Sequence, residues 1–495
     1  MLAAPPGFET MSSSHMHSVF PEKIELLVDG RWVQGSERNT AELVNPATAE
    51  VLTEIPLAGV ADLQRALDAS VKGFSVWKEM TAAGRCEALR KAAELMAADK
   101  ERIATILTME NGKPLAEARA EIEFSVEALQ WYAEEGKRAY GRMIPGRLEN
   151  QRQIVLKEPV GPVAAFAAWN FPAANVVRKI GGALGAGCSL TLKASEETPG
   201  TAVAIARCLE KAGLPEGALQ LVFGVPDEIS SYLLASPVIR KVSLTGSTAV
   251  GKLLQRRAAE TLKRCTMELG GHAPVIVHHD ADIEKSVAVL IAAKYRNAGQ
   301  VCTSPTRFYV HQDLYTPFVQ LFAEKAAHLK LGNGLEAGTQ VGPVITRRRL
   351  AAIESLVRDA ETKGARLLTG GRRIERDGNF FAPTVLADVP SSARILREEP
   401  FGPVASIMPF SHFDDVIERA NSTPYGLASF VFTRDAALAQ RTELALEAGL
   451  VGVNNTAISA PETPFGGVNE SGYGSEGGIE GLEGYLRTKF ISEVF

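Results

Sequence analysis

Short apolar runs alternate with segments of helical spacing across 160–261, stop at Glu268-Leu269-Gly270-Gly271, and alternate again across 275–329. The first stretch predicts strands at 160–169, 189–193, 219–223 and 241–244, interleaved with helices at 201–212, 230–235 and 250–261. The second predicts strands at 275–277 and 307–310 and helices at 283–297 and 314–329. Alternation of this kind leaves few folds open. Successive strands lie parallel, each return needs a helical crossover, and the chain builds βαβ units. Two such stretches separated by a glycine pair predict two α/β domains with a boundary near Gly270 and Gly271. A chain of 495 residues is long enough for two or three cores, and its 45% hydrophobic content supplies them. Upstream, helical spacing at 63–72, 82–111 and 115–140 predicts long helices, the second closed by Gly112-Lys113-Pro114 and the third broken at 141–146; 154–156 reads as a strand.

Charge and cysteine usage remove several function classes. A formal net charge of −5 makes a nucleic-acid partner an unsuitable expectation. No apolar run approaches the roughly 18 residues needed to span a bilayer. The five cysteines, Cys86, Cys188, Cys208, Cys265 and Cys302, show no CxxC spacing, which argues against a disulfide framework and a zinc site. The densest histidine cluster, His278-His279-Asp280, falls where an apolar run gives way to a turn, and reads as a solvated strand end rather than a metal site. Residues 1–22 read as a disordered extension rich in Ala, Pro, Ser and His. With no Lys or Arg before Lys23, they do not resemble a targeting segment, so the cytoplasm is the expected location.

Five local patterns carry chemistry. Cys302 lies in Gly299-Gln300-Val301-Cys302-Thr303, a glycine-containing turn after a predicted helix, where a thiol can serve as nucleophile; a buried structural thiol is the alternative. Glu268 precedes the glycine pair, where it can sit in a cleft whose burial raises a carboxyl pKa and suits it to act as general base; a surface carboxylate at a domain hinge is the alternative. Asn170, in Trp169-Asn170-Phe171-Pro172 after a strand, can donate an amide N–H to a developing oxyanion. The turn 244–251 lies between a strand and a helix, where Gly246 and Gly251 permit close approach of a phosphate, although the spacing is not GxGxxG. Lys193 and Glu196, three apart at another strand end, can grip a ribose.

Taken in order, WNFP at 169–172, KASE at 193–196, LTGSTAVG at 244–251, MELGG at 267–271, GQVCTS at 299–304, EEPFGP at 398–403 and PFGG at 464–467 resemble the aldehyde dehydrogenase superfamily, over nearly the whole chain from about Lys23. The resemblance implies an α/β aldehyde dehydrogenase fold. A Rossmann-like cofactor domain would occupy 23–140 and 160–270, and an α/β catalytic domain 271–483. A small β oligomerisation element at 141–159 and 484–495 would make a homodimer or homotetramer. It also implies roles. Cys302 matches the nucleophile, Asn170 the oxyanion donor, Glu268 the base that activates water, and Lys179 and Glu476 a proton relay beside that base. For the cofactor, NAD is expected ahead of NADP. Lys193 and Glu196 match adenosine-ribose contacts, and Gly246, Ser247 and Gly251 the pyrophosphate turn. Glu399 and Phe401 match contacts beside the nicotinamide ribose, with Trp169 and Leu269 flanking the cleft.

Within the superfamily the chain looks most similar to succinate-semialdehyde dehydrogenases, through NVVRK at 175–179, KYRNAGQVC at 294–302 and AISAPETPFGG at 457–467. The substrate implied is a small aldehyde with an anionic tail. Arg178 and Arg296 match the two arginines that bind the tail carboxylate, Ser459 lies near a third contact, and Phe171 and Phe465 line the approach. Arginine suits such a grip because its planar fork can bind both oxygens of a carboxylate. Three positions depart from the pattern. Ser304 stands where some relatives have a second cysteine, Ser475 where an Arg often precedes the relay glutamate, and Ala194 where Pro is frequent. Three alternatives stay open: an aldehyde with a longer keto-acid, phosphonate, sulfonate or aromatic tail, a CoA-acylating enzyme, and a non-catalytic structural role.

Overall fold

The computed structural model describes residues 19–495, so most of the segment expected to be a disordered extension lies outside the described residues. Two large sheets organise the rest. The first runs Arg31–Val33, Leu26–Val28, Leu219–Val222, Leu190–Lys193, Val163–Phe166, Lys241–Thr245, Arg264–Glu268 and Gly472–Tyr473 in spatial order. Its five central strands are parallel, as the alternation requires. Their order reverses beside Val163–Phe166. Strands added next in sequence lie on one side of it, and Lys241–Thr245 and Arg264–Glu268 on the other. Such a reversal opens a crevice at the carboxyl ends of the strands, where the crossovers leave in opposite directions. The chain leaves the sheet there at Ala167–Asn170, Gly246 and Glu268.

The second sheet runs Arg366–Thr369, Thr384–Ala387, Val404–Phe410, Pro305–His311, Ala273–Val277, Ala428–Phe432 and Leu450–Val453. All its pairs are parallel except that of the edge strand Arg366–Thr369. Each sheet has its own apolar cluster, so the chain folds around two cores. A smaller antiparallel sheet joins Arg142–Pro145, Gln151–Pro159 and Leu486–Val494. It exposes Met143, Leu156, Phe490 and Val494. Among the described residues no helix is long and apolar enough to cross a membrane.

The helix that matters most to the crevice is Pro172–Ala186. Its proline sits in the first turn, its N–H groups there having no helical partner to lose, and Gly187 ends it in the left-handed region at φ 92°. It packs on the helix Leu115–Gly136 so closely that a Cβ at Gly181 would lie 2.5 Å from the Tyr132 ring. This contact fixes the rotation of the helix, and with it the directions of Arg178 and Lys179.

Several elements differ from the sequence-based expectation. The run at 82–111 is two helices, Ala82–Ala98 and Lys100–Asn111, separated at Asp99. The helix expected to reach 140 ends at Gly136, and the segment that breaks it pairs as a strand. The helix expected to reach 297 ends at Tyr295. Asn297, Ala298 and Gly299 then all take positive φ, 47°, 51° and 73°, and turn the chain toward Cys302. Gly299 is required there, since a Cβ would lie 2.1 Å from the Gly402 carbonyl oxygen. His278 is not solvated. It is 3% exposed, makes a 3.0 Å hydrogen bond with the Thr442 hydroxyl, and packs against Phe410 and Phe413. Burial pushes its pKa down to about 4, so it is held neutral in the core.

Candidate active site

A cavity of about 390 Å³ occupies the crevice between the two sheets. The strand ends of the first sheet supply Trp169, Asn170, Gly246, Ser247, Glu268 and Leu269 to its walls. The turn after Tyr295 supplies Arg296 and Cys302, and Glu399 and Phe401 come from the segment before Val404–Phe410. Residues separated by more than two hundred positions thus share one space.

Cys302 is half-buried in this wall. Removal from water pushes its thiol up to about 12; the carboxyls of Glu399 and Glu268 add to the rise, and Arg178 and Arg296 oppose it. Glu268 is 3% exposed, and neither of its carboxylate oxygens has a hydrogen-bond partner among the described residues. Burial, reinforced by the nearby Glu476, raises its pKa well above the usual carboxylate range, against the opposing pull of Lys179 and Arg178. An unpaired buried carboxyl is costly, and beside a cavity it is available to water or substrate. Next to it lies a closed polar cluster. Lys179 Nζ donates to Glu476 at 2.7 Å, to the Thr245 hydroxyl at 2.8 Å and to the Ser243 hydroxyl at 3.3 Å. Glu399 accepts the Gly271 N–H at 3.2 Å, and burial lifts its pKa to about 7.

Asn170 is held on every side. Its Nδ2 donates to the Gln300 carbonyl at 3.2 Å, and its Oδ1 accepts from Asn175 at 3.2 Å. The amide carries a second N–H, which leaves one donor for the cavity.

In the same wall, Arg178 donates to the Ser459 hydroxyl at 2.7 Å. Its guanidinium carbon lies 4.4 Å from the centre of the Phe465 ring and 5.2 Å from that of Phe124. Arg296 lies 5.1 Å from the centre of the Phe171 ring. Two guanidinium groups framed by aromatic faces make a compartment for an anion on an apolar stem.

Three of the residues expected to touch a cofactor are not in the cavity wall. Lys193 and Glu196 pair with each other at 2.6 Å, and Glu196 also accepts the Gly224 N–H at 3.0 Å. Gly251 faces Leu269, where a Cβ would come within 2.6 Å of the leucine side chain, so it serves close packing of the helix Thr248–Ala259. The remaining donor set suits a dinucleotide. That helix opens at the cavity with Gly246 and Ser247 in the wall, and a Cβ on Gly246 would meet only Leu244 within 4 Å. Trp169 and Phe401 stand edge to face in the same wall with ring centres 5.5 Å apart. Among the described residues no cluster of His, Cys, Asp and Glu could hold a metal ion.

Sequence reasoning missed Glu117, Glu121 and Phe124 in the cavity wall, and Lys113 and Asn297 behind it. The first three share a face of Leu115–Gly136 at helical spacing, which was the available signal. Glu117 accepts the Asn297 N–H at 2.8 Å, and burial lifts its pKa to about 7.

The profile of the family described as "Aldehyde dehydrogenase family" matches residues 32–491. The chain is 48% identical over 470 residues to a 4-(hydroxymethyl)benzenesulfonate dehydrogenase of Comamonas testosteroni, covering 95% of this chain and 98% of that one. It is 41% identical over 467 residues to an NADP(+) succinate-semialdehyde dehydrogenase of Escherichia coli strain K12, covering 94% and 97%. The crystal structure of a succinate-semialdehyde dehydrogenase from Burkholderia pseudomallei has the same fold, with a TM-score of 0.94 at 41% identity over 97% of this chain and 99% of that one.

Proposed function

The chain belongs to the aldehyde dehydrogenase family, and from that premise we propose that it oxidises an aldehyde with an anionic tail to the carboxylic acid, through a thioester on Cys302 and with NAD as oxidant. The observation that carries the reading is one cavity wall holding a thiol, an unpartnered buried carboxyl, an amide donor and two arginines. Cys302 Sγ attacks the aldehyde carbon as the thiol gives up its proton to solvent water in the cavity. The oxyanion accepts the free N–H of the Asn170 amide and the Cys302 backbone N–H. A bound nicotinamide dinucleotide supplies the hydride acceptor that turns the thiohemiacetal into a thioester. Glu268, once ionised, takes a proton from water, the hydroxide adds to the thioester carbonyl, and the C–S bond breaks to return the Cys302 sulfur. Glu476 would carry that proton onward from Glu268, with Lys179 holding its carboxylate.

The cofactor would lie with its pyrophosphate at Gly246 and Ser247, its nicotinamide ribose at Glu399 and Phe401, and Trp169 and Leu269 alongside. The adenosine ribose would meet Lys193 and Glu196. Because Lys193 is already neutralised by Glu196, a 2′-phosphate there gains no net cation, which favours NAD over NADP. The exposed apolar residues of the three-stranded sheet suit assembly into a homodimer or homotetramer.

Succinate semialdehyde is the simplest aldehyde that fits, its carboxylate on Arg178 and Arg296. The aromatic faces of Phe124, Phe171 and Phe465 also favour a second tail, an aryl sulfonate, which the name of the Comamonas relative carries. The test is kcat/KM over a panel of aldehydes of similar length. A charge-assisted contact contributes roughly 1.5–3 kcal/mol, so Arg178→Ala or Arg296→Ala should raise KM for the anionic aldehyde at least about tenfold. Butanal should be little affected. A parent enzyme that prefers butanal or benzaldehyde would leave the arginines structural, and a CoA requirement would assign the acylating reaction.

A further inference from the structure

Two donors from distant parts of the chain converge on one carbonyl, that of Asn170. Lys113 Nζ donates to it at 2.9 Å and Asn297 Nδ2 at 2.8 Å. Lys113 is 1% exposed and is held by Glu121 at 2.5 Å, with its ammonium 4.1 Å from the centre of the Phe171 ring. The other Glu121 oxygen accepts the N–H groups of Ala173 and Ala174, at 2.8 and 3.2 Å, in the first turn of Pro172–Ala186. The loop is therefore clamped on both sides of Asn170.

Asn297 reaches in from the other loop. It takes φ 47°, a region asparagine tolerates better than most residues, and its amide lies near both the Asn170 and Gln300 carbonyls. Asn170 in turn donates to the Gln300 carbonyl, two residues before Cys302. Each asparagine side chain thus bonds the backbone of the opposite loop, and the two bonds span the gap between the oxyanion donor and the nucleophile.

We propose that Asn297 and Lys113 are positioning residues of this reaction, fixing Asn170 and so the distance from its side-chain amide to Cys302. Two features separate this from general support of the fold. Both donors act on the residue whose side chain faces the reacting carbon. One of them also belongs to the turn that carries the nucleophile, so a shift of either loop changes the catalytic distance directly. Displacements of about 1 Å cost on the order of a hundredfold in rate.

The inference rests on the reading of Asn170 as oxyanion donor, and the test separates the two. The rate of the first NADH formed is measured in single turnover for the parent, Asn170→Ala, Asn297→Gly and the double variant. Glycine keeps the left-handed backbone without steric cost and removes only the amide. Asn297→Gly should slow that step about ten- to a hundredfold, with aldehyde KM within about twofold, and should add no further loss in the Asn170→Ala background. Lys113→Met combined with Glu121→Gln, which removes both buried charges together, should give the same pattern, and Lys113→Arg should restore part of the rate. A first-turnover rate for Asn297→Gly within about twofold of the parent overturns the proposal. So does an undiminished loss in the Asn170→Ala background, which would mark Asn297 as support for the fold alone. An Asn170→Ala enzyme as fast as the parent would refute the oxyanion reading and the proposal with it.

Discussion

Replacing Glu268 by Gln tests the chemistry at the point where the structure makes the sharpest statement. The two side chains have nearly the same shape, and the carboxylate has no hydrogen bond to lose, since neither oxygen has a partner. What changes is the charge. Moving an ionised carboxyl out of water costs several kcal/mol after relaxation, here only partly offset by Lys179 and Arg178. The folded pKa is therefore raised above the unfolded value, and the fold binds the proton more tightly than the unfolded chain does. The parent then loses stability as pH rises from the ordinary carboxyl value of 4.5 toward the raised one, at about 1.4 kcal/mol per pH unit of that window. Glu268→Gln removes this slope, so the variant should match the parent in acid and exceed it at alkaline pH. Kinetically, the variant should release about one NADH per site in a burst. Steady turnover should then fall about 10²- to 10⁴-fold, the usual contribution of a general base. The rise in parent kcat with pH through the Glu268 pKa should vanish. Stopped-flow absorbance and urea unfolding at several pH values measure both. A first turnover slowed as much as the steady state, with no burst, would move Glu268 from hydrolysis to activation of Cys302.

Two further substitutions bear on the same site. Cys302→Ser should remove dehydrogenase activity and leave NAD binding by fluorescence nearly unchanged, a hydroxyl being a far poorer nucleophile than a thiolate. In the parent without cofactor, labelling of Cys302 by iodoacetamide should keep rising with pH beyond 9 without a plateau, as a thiol pushed up to about 12 requires. A plateau near neutral pH would show that the thiolate is stabilised by a contact outside this geometry. Glu196→Gln should raise kcat/KM for NADP relative to NAD by about tenfold or more, through the freed charge of Lys193. An unchanged ratio would place the ribose elsewhere.

Val163–Phe166, Leu190–Lys193, Lys241–Thr245 and Ala273–Val277 were legible because burial on both faces writes them as short, largely apolar runs separated by helical spacing, whereas Arg264–Glu268, Thr384–Ala387, Val404–Phe410 and Ala428–Phe432 drew no expectation. The edge strands Leu26–Val28, Arg31–Val33 and Gly472–Tyr473 were not legible, since two or three residues carry no periodicity; the first two form a short hairpin, and what docks it and Gly472–Tyr473 on the sheet lies far away in sequence. The helix expected to reach 297 ran too far for a related reason. Asn297 and Ala298 continue the apolar spacing, but tertiary contacts hold them in the left-handed region to bring Cys302 to the crevice. Cys302, Glu268, Asn170, Arg178 and Arg296 could be singled out because motifs name them, and they share one cavity. Lys113 could not. Gly112-Lys113-Pro114 reads as the stop between two helices, and nothing local shows that its ammonium turns inward to Glu121 and Asn170.

The protonation pattern gives the cavity a direction. At its centre the protein resists negative charge: Glu268 is held well above the usual range, Glu399 is lifted to about 7 and the Cys302 thiol to about 12, each chiefly by burial. Two guanidinium groups in the same wall, Arg178 and Arg296, favour it. On the proposed function, an aldehyde with one anionic end would enter in a single orientation, tail to the arginines and neutral carbonyl to Cys302. The reaction reverses that match, because hydrolysis of the thioester creates a second carboxylate among Glu268, Glu399 and Cys302. Of the cations around it, Arg178 and Arg296 would already hold the tail, Arg349 is drawn toward Glu399, and Lys179 is engaged with Glu476, Thr245 and Ser243. The same desolvation that keeps Glu268 protonated thus raises the free energy of bound product relative to bound substrate. A site arranged this way binds the neutral end of its substrate and expels the charged end of its product, and the arginines supply the tail affinity that both share.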